Sequence, residues 1–149
     1  MKRLYIAVLA VMAFTGMGQM PIFSRYYVAD IPGMAWAGDF YVTHTIHYLG
    51  AIVLFALFSY VTVYYLFRGR KTQRLSLPGV VRVVLLAGLV VTGIVRVMKN
   101  LPDVSFSPGV TMLIDIAHLG FMMVFLFTAL GFLISRKGWV RQLNSVARG

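Results

Sequence analysis

The chain contains no cysteine, so it can form no disulfide, thiolate metal site, cysteine-ligated iron–sulfur cluster or covalently attached c-type haem. Charged residues are also scarce: they make up 12% of the 149 residues, whereas 60% of the residues are hydrophobic. A water-soluble domain of this length needs far more polar surface than that. The composition therefore indicates an integral membrane protein.

The sequence also lacks the short motifs of several enzyme classes. It has no Walker loop, dinucleotide fingerprint, serine triad or pair of catalytic carboxylates. Paired intramembrane charges and symmetric broken helices, which are typical of small transporters, are absent too. No low-complexity tract or internal repeat is detectable. The candidates for chemistry are therefore three histidines and a few charged side chains.

Four apolar segments each have about the 20 residues that a helix needs to cross roughly 30 Å of hydrocarbon. Pro-Gly pairs at 78–79 and 108–109 mark the starts of the third and fourth segments, as expected of helix N-termini. The expected fold is all-α: one membrane domain, residues 1–149, forming an integral membrane four-helix bundle. The predicted helices cover about 4–22, 41–67, 80–97 and 110–134.

The first segment allows two interpretations. A Met-Lys-Arg start followed by an apolar stretch is also typical of a secretory signal. No small-residue cleavage site follows it, and a retained helix gives a consistent topology with an even number of spans. A retained helix is therefore the favoured interpretation.

Basic residues predict the orientation, because cytoplasmic loops carry an excess of Lys and Arg. Both termini and the second connection are predicted to be cytoplasmic, and the first and third connections to face the outside. The net charge of +10 is then a topology signal with some affinity for anionic lipid, not a nucleic-acid surface. The cytoplasmic set is Lys2, Arg3, Arg68, Arg70, Lys71, Arg74, Arg82, Arg136, Lys137, Arg141 and Arg148; only Arg25, Arg96 and Lys99 fall outside.

All three histidines are predicted to lie in the outer half of the membrane, His44 and His47 in the second segment and His118 in the fourth. Neutral imidazoles from two helices can ligate one haem iron, and apolar helices supply a dry pocket around it. At about 1.5 Å of rise per residue, His47 lies about 4.5 Å deeper than His44 and matches the depth of His118 better. We predict one haem b with His47 and His118 as ligands to the iron. The alternative is that the histidines only form polar contacts between helices.

Gly50 and His44 flank the predicted ligand His47 on the same segment. Gly50, three residues further on, leaves that face low, which suits a flat macrocycle. His44 lies one turn nearer the outer surface. It is a candidate for binding a haem propionate or lining a quinone site, and an ordinary interfacial histidine is the alternative.

Charged side chains near the outer surface supply the remaining candidates. Asp115 is predicted within the membrane boundary, where a carboxylate is costly and often functional. It could accept a hydrogen bond from a histidine, take part in quinol proton transfer or cap its helix. Asp39 is a further candidate for the quinone site. Arg96 and Lys99 are candidate counter-charges for haem propionates, with snorkelling to the interface as the alternative.

Three features resemble the four-helix cytochrome b subunits of formate dehydrogenases (the gamma subunit) and of related hydrogenases and thiosulfate reductases. They are Thr15-Gly16, the connection IPGMAWAGDF, and HYLGA beginning at His47. The resemblance implies that His47 is the ligand to an outer haem and that His118 is its partner. His44 stands where many relatives have arginine.

The chain departs from this family on the cytoplasmic side. Relatives with two haems have further histidines where this sequence has approximately Tyr5 and Phe132. The resemblance therefore implies that the inner haem has been lost. One outer haem cannot carry electrons across the whole bilayer, so the quinone site would lie on the outer side.

These observations predict a haem b-containing anchor subunit of a respiratory oxidoreductase complex in the cytoplasmic membrane of a prokaryote. It would relay electrons between the menaquinone or ubiquinone pool and an extracytoplasmic iron–sulfur or multihaem subunit. The chain is too small to hold its own substrate-oxidising site. A haem-free anchor or assembly subunit, and a two-haem protein using all three histidines with an unusual fourth ligand, remain as alternatives.

Overall fold

The computed structural model describes residues 2–20 and 25–143. The chain is mostly helical. The helices are α1 (Lys2–Gly18), α2 (Arg25–Ala29), α3 (Phe40–Phe67), α4 (Leu77–Met98) and α5 (Pro108–Ile134), with 3-10 turns at Ala35–Gly38 and Gly69–Lys71. Strands β1 (Gln73–Leu75) and β2 (Val140–Gln142) complete the described elements.

Helices α3, α4 and α5 are long and apolar enough to cross a membrane. Their large hydrophobic side chains are widely exposed, for example Phe127 at 69% and Ile134 at 75%, and a lipid bilayer would cover such surfaces. Three of the four predicted spans are thus confirmed as helices of spanning length, which indicates a multi-pass membrane protein.

The first predicted span is a shorter helix. With 17 residues, α1 is about 26 Å long at 1.5 Å per residue, and it ends at Gly18. The predicted end of this span, Ile22, and one residue of the predicted cytoplasmic set, Arg148, lie outside the described residues. Whether α1 spans the bilayer stays a prediction.

Serine caps explain why α4 and α5 begin slightly earlier than predicted. The hydroxyl of Ser76 accepts a hydrogen bond from the amide of Gly79, and that of Ser107 accepts one from the amide of Val110. Each serine thereby satisfies an amide that has no partner inside the helix, and a proline follows within the first two positions. The predicted Pro-Gly start signals are correct, and the helix boundary lies at the capping serine.

The chain divides into two compact units, one ending at Tyr65 and the other beginning at Leu66. In the first unit α1 and α3 lie against each other in opposite directions: Thr15 contacts His47, and Met12 contacts Gly50. His47 and Gly50 of α3 contact α1, and the buried residues Thr43 and Leu54 continue this stripe of helical spacing along α3.

In the second unit α4 and α5 form an antiparallel pair. The contacts follow α4 from its C-terminus to its N-terminus and α5 in the opposite direction. Lys99 contacts Asp115, Thr92 contacts His118, Gly88 contacts Phe121 and Arg82 contacts Phe132. A side chain at position 88 would overlap the Phe121 ring, because a Cβ there would come within 2.6 Å of it. A glycine at this position lets the two helices approach closely around the aromatic ring.

A small antiparallel ribbon, absent from the all-α prediction, joins the segments at the far end of the α4–α5 pair. Leu75 pairs with Val140, and Ser76 binds the carbonyl oxygen of Trp139 through its amide (3.0 Å). Gly79 contacts the same Trp139 carbonyl so closely that no side chain fits.

The buried side chain of Arg82 strengthens this end of the unit. It donates to the carbonyl of Lys137 (3.1 Å) and lies over the rings of Phe132 and Trp139. The ribbon and the arginine together tie the segment before α4 to the segment after α5.

Candidate functional site

His47 is held by helix α1. Its Nδ1 lies 3.0 Å from the hydroxyl oxygen of Thr15, and the Thr15 side chain is only 1% exposed. The same hydroxyl bonds the backbone carbonyl of Val11, one turn earlier, at 2.8 Å. Gly16 follows Thr15, and a Cβ there would lie 3.1 Å from Cε1 of His47. The imidazole therefore lies directly against the α1 backbone.

His118 is held in the same way by helix α4. Its Nδ1 lies 2.9 Å from the hydroxyl oxygen of Thr92, and this hydroxyl bonds the backbone carbonyl of Gly88 at 2.8 Å. Gly93 follows Thr92, and a Cβ there would lie 3.5 Å from Cε1 of His118. Each unit thus presents one half-buried histidine whose Nδ1 is bound by a threonine that precedes a glycine.

The sequence indicated only half of this arrangement. Thr15-Gly16 belongs to the motifs of the family resemblance, whereas Thr92-Gly93 does not. The repeated Thr-Gly pair was a detectable signal, but threonine and glycine are common in apolar helices. The spacing to the histidine also differs, 32 residues in the first unit and 26 in the second.

Gly50 lies where the sequence placed it, on the face of α3 that also carries His47. The Met12 side chain lies against it, with its sulfur 2.6 Å from the position of a Cβ. An open apolar groove lined by Val8, Val11 and Leu49 runs beside Gly50. The flexible Met12 side chain therefore covers the surface that Gly50 leaves low, and the contact of Gly50 with a macrocycle stays a prediction.

His44 does not share the environment of His47. Its ring stacks on Phe40 at 5.3 Å between centroids and meets Tyr48 edge-on at 4.7 Å. These residues lie four positions before and after it on α3, so the three rings form an aromatic row along the helix. His44 is half-buried within that row.

The charged candidates of the second unit come together at one end of the α4–α5 pair. Lys99 binds both carboxylate oxygens of Asp115, at 3.0 and 2.9 Å, and Nε of Arg96 forms an ion pair with the same carboxylate at 2.9 Å. Two cations and one anion give this cluster a formal charge of +1. The structure therefore supplies Asp115 with partners on the neighbouring helix.

Asp39, another candidate for the quinone site, caps helix α3. Its Oδ1 accepts hydrogen bonds from the amides of Tyr41 (2.7 Å) and Val42 (3.2 Å). A carboxylate at this position also interacts favourably with the helix dipole. These bonds give Asp39 a structural role at the start of the helix that carries His44 and His47.

Comparisons with known proteins add no relative: no protein-family model, curated protein or solved structure matches the chain.

Proposed function

We propose that the chain is a membrane anchor subunit that binds one haem b, with His47 and His118 as the ligands to the iron. The observation that carries this proposal is that the two histidines have the same hydrogen-bond partner: each is bound at Nδ1 by a threonine hydroxyl. His44 has a different environment, because its ring packs between Phe40 and Tyr48.

The two side chains fit the requirements of an iron ligand. A metal-binding histidine almost always donates its other ring N–H to an oxygen acceptor, which fixes the orientation of the ring. The threonine hydroxyls provide such an acceptor at Nδ1, and Nε2 is then the ligating nitrogen. Both imidazoles are half-buried on apolar helices, in surroundings of the low polarity that a haem b requires.

A haem bound there would supply a one-electron carrier between the quinone pool and an extracytoplasmic iron–sulfur or multihaem partner. The net positive cluster of Arg96, Lys99 and Asp115 supports the assignment of these two cations to the haem propionates, since an anionic group would balance the remaining charge. Because Asp115 already neutralises one cation, the cluster can exist in the membrane before any cofactor binds.

The quinone site is proposed on the same side as the haem. His44 is the first candidate for it, because its aromatic row offers flat apolar surfaces next to a titratable ring. Asp115 is the second candidate and Asp39, engaged as a helix cap, is the third. The quinone is proposed to be menaquinone or ubiquinone.

We further propose a four-span bundle with both termini cytoplasmic, in the cytoplasmic membrane of a prokaryote. The support is the distribution of basic residues together with three helices of spanning length. The resemblance to the cytochrome b subunits of formate dehydrogenases, hydrogenases and thiosulfate reductases supports a place in a respiratory complex. With one haem on the outer side, electron transfer would move little charge across the bilayer.

A haem-free anchor or assembly subunit is the second candidate function. The same threonine–histidine bonds favour it, because hydrogen bonds between helices stabilise membrane bundles by about 0.6 kcal/mol each. In that case the histidines would hold α3 to α1 and α5 to α4 and would bind no cofactor.

A pyridine haemochrome assay on the chain, purified within its complex, separates the two functions. We expect one haem b per chain, lost in His47→Ala and in His118→Ala and retained in His44→Ala. The absence of haem b refutes the main proposal. Two haems per chain, or loss of haem in His44→Ala but not in His47→Ala, refutes the ligand assignment.

A further inference from the structure

We infer that Thr15 and Thr92 are positioning residues that hold His47 and His118 in one particular tautomer, with the ring proton on Nδ1 and the lone pair on Nε2. The use of that lone pair for iron rests on the proposed function. The tautomer itself does not, since it follows from hydrogen bonds within each unit.

The first step concerns the proton of each threonine hydroxyl. The Thr15 oxygen lies 2.8 Å from the carbonyl oxygen of Val11, and the Thr92 oxygen lies 2.8 Å from that of Gly88. A carbonyl oxygen can only accept, so a contact of this length requires the hydroxyl to donate. A threonine has a single hydroxyl proton, and that proton is therefore directed along its own helix.

The second step concerns the histidine. A hydroxyl that has already used its proton can still accept through its remaining lone pairs. The contacts from Nδ1, at 3.0 Å in His47 and 2.9 Å in His118, are then N–H···O bonds with the ring as donor. In a neutral imidazole only one nitrogen carries a proton, so Nε2 carries the lone pair that a metal ion can use.

The third step is the similarity of the two units. Each has a Thr-Gly pair on one helix and a histidine on the next, with the same two hydrogen bonds and with the glycine backbone against Cε1 of the ring. The sequence showed no repeat, but the hydrogen-bond pattern is repeated. A histidine serving only as a helix contact has no need of a specified tautomer, whereas a histidine that binds iron through Nε2 needs its proton on Nδ1.

This arrangement has a measurable electronic consequence. An acceptor on Nδ1–H makes the imidazole more basic, and a more basic ligand favours ferric over ferrous iron. Removing one acceptor should therefore raise the reduction potential. We expect the ferric-to-ferrous stability ratio to fall about tenfold, which for a one-electron couple is about 59 mV.

Nitrogen-15 NMR of the full-length chain, prepared without haem in lipid nanodiscs and with labelled histidine, tests the tautomer, since no metal ion then occupies Nε2. The wild-type chain should show a one-bond N–H coupling at Nδ1 of His47 and of His118 and none at Nε2. Finding the proton on Nε2, or on both nitrogens at neutral pH, overturns the inference directly and requires no variant.

Substitutions then assign the effect to the threonines. Thr15→Val and Thr92→Val keep the side-chain shape but remove the acceptor, so each should lose the exclusive Nδ1 protonation of its own histidine. Thr15→Ser and Thr92→Ser should restore it. Thr43→Val is the matched control, because this buried threonine binds the carbonyls of Asp39 and Phe40 and no histidine in the described part of the chain. Unchanged protonation in both valine variants of the haem-free chain overturns the inference.

The two proposals fail separately. A chain without haem b that shows the predicted tautomers refutes the proposed function and supports the threonine inference. A chain with one haem b, ligated by His47 and His118, whose potential is the same in the valine, serine and wild-type forms overturns the positioning role and supports the haem assignment.

Discussion

A matched pair of alanine substitutions, Gly16→Ala and Gly93→Ala, measures how tightly each histidine is held. Both glycines follow the threonine that binds a histidine, and both lie in helices. Alanine is favoured over glycine in a helix by about 1 kcal/mol, so each substitution begins with the same gain. The difference between them comes from the space available next to the imidazole.

At Gly93 the new Cβ would lie 3.5 Å from Cε1 of His118, an ordinary van der Waals contact. The gain of about 1 kcal/mol should therefore be retained, and the Thr92–His118 bond should not change. At Gly16 the new Cβ would lie 3.1 Å from Cε1 of His47, where an ordinary contact begins at 3.4 Å. The ring must move away by the difference, about 0.3 Å.

That movement acts on a hydrogen bond of known length. Added to the 3.0 Å between Thr15 and His47, it gives up to about 3.3 Å, beyond the 2.7–3.2 Å usual for N–H···O bonds. Losing most of one such bond costs about 1 kcal/mol, which cancels the helical gain. We expect Gly93→Ala to stabilise the protein by about 1 kcal/mol and Gly16→Ala to leave its stability nearly unchanged.

The assay is reversible unfolding in mixed micelles, followed by far-ultraviolet circular dichroism. Gly120→Ala is the control, since within the described residues nothing beyond its own stretch of helix lies within 4 Å of its Cβ position, and it should show the helical gain alone. In haem-loaded protein, only Gly16→Ala should shift the reduction potential. Equal stabilisation by Gly16→Ala and Gly93→Ala would refute the claim that the Thr15–His47 contact is tight.

Two further predictions concern the second unit. Gly79→Ala should destabilise it by about 2 kcal/mol, because the new Cβ overlaps the Trp139 carbonyl and about three hydrogen bonds of the ribbon end are lost against one helical gain. Unfolding measurements check this. The control is Gly109→Ala, because Gly109 also follows a helix-start proline but has open space around it among the described residues. Equal stability of the two variants would contradict the prediction. Asp115→Asn should cost about 2 kcal/mol, because it removes the carboxylate that both Arg96 and Lys99 bind. The control is Asp103→Asn, because Asp103 lies in an exposed turn with a φ of 65° that asparagine tolerates. This control should be neutral in the same measurement. An equal loss of stability in both variants would show that the Asp115 ion pairs are not the cause.

The sequence predicted the long helices well because their signals are local. Apolar runs and Pro-Gly starts located α3, α4 and α5 to within three residues, and the remaining error came from the capping serines, Ser76 and Ser107. The end of α1 was less certain, since the apolar run continues past Gly18 without a charged residue.

Contacts between helices could not be predicted in the same way. The proximity of Lys99 to Asp115 depends on the register of α4 against α5, and a one-residue error turns a side chain by about 100°. The ribbon was missed because its strands have three residues each, too short for an alternating pattern to be recognised. The histidines themselves were identified from their rarity and position, but their threonine partners became evident only in three dimensions.

The junction of Ser76, Gly79 and Trp139 also fixes the register of α4 against α5. A helix that slides by one residue against its neighbour advances about 1.5 Å and rotates about 100°, which would carry His118 out of reach of the Thr92 hydroxyl. Such a slip would also separate the Trp139 carbonyl from Ser76. Apolar contacts alone oppose such sliding only weakly, because a shifted helix presents similar apolar side chains to its neighbour. The polar junction, about 24 Å along α4 from Thr92, thus sets the alignment at which the imidazole finds its partner.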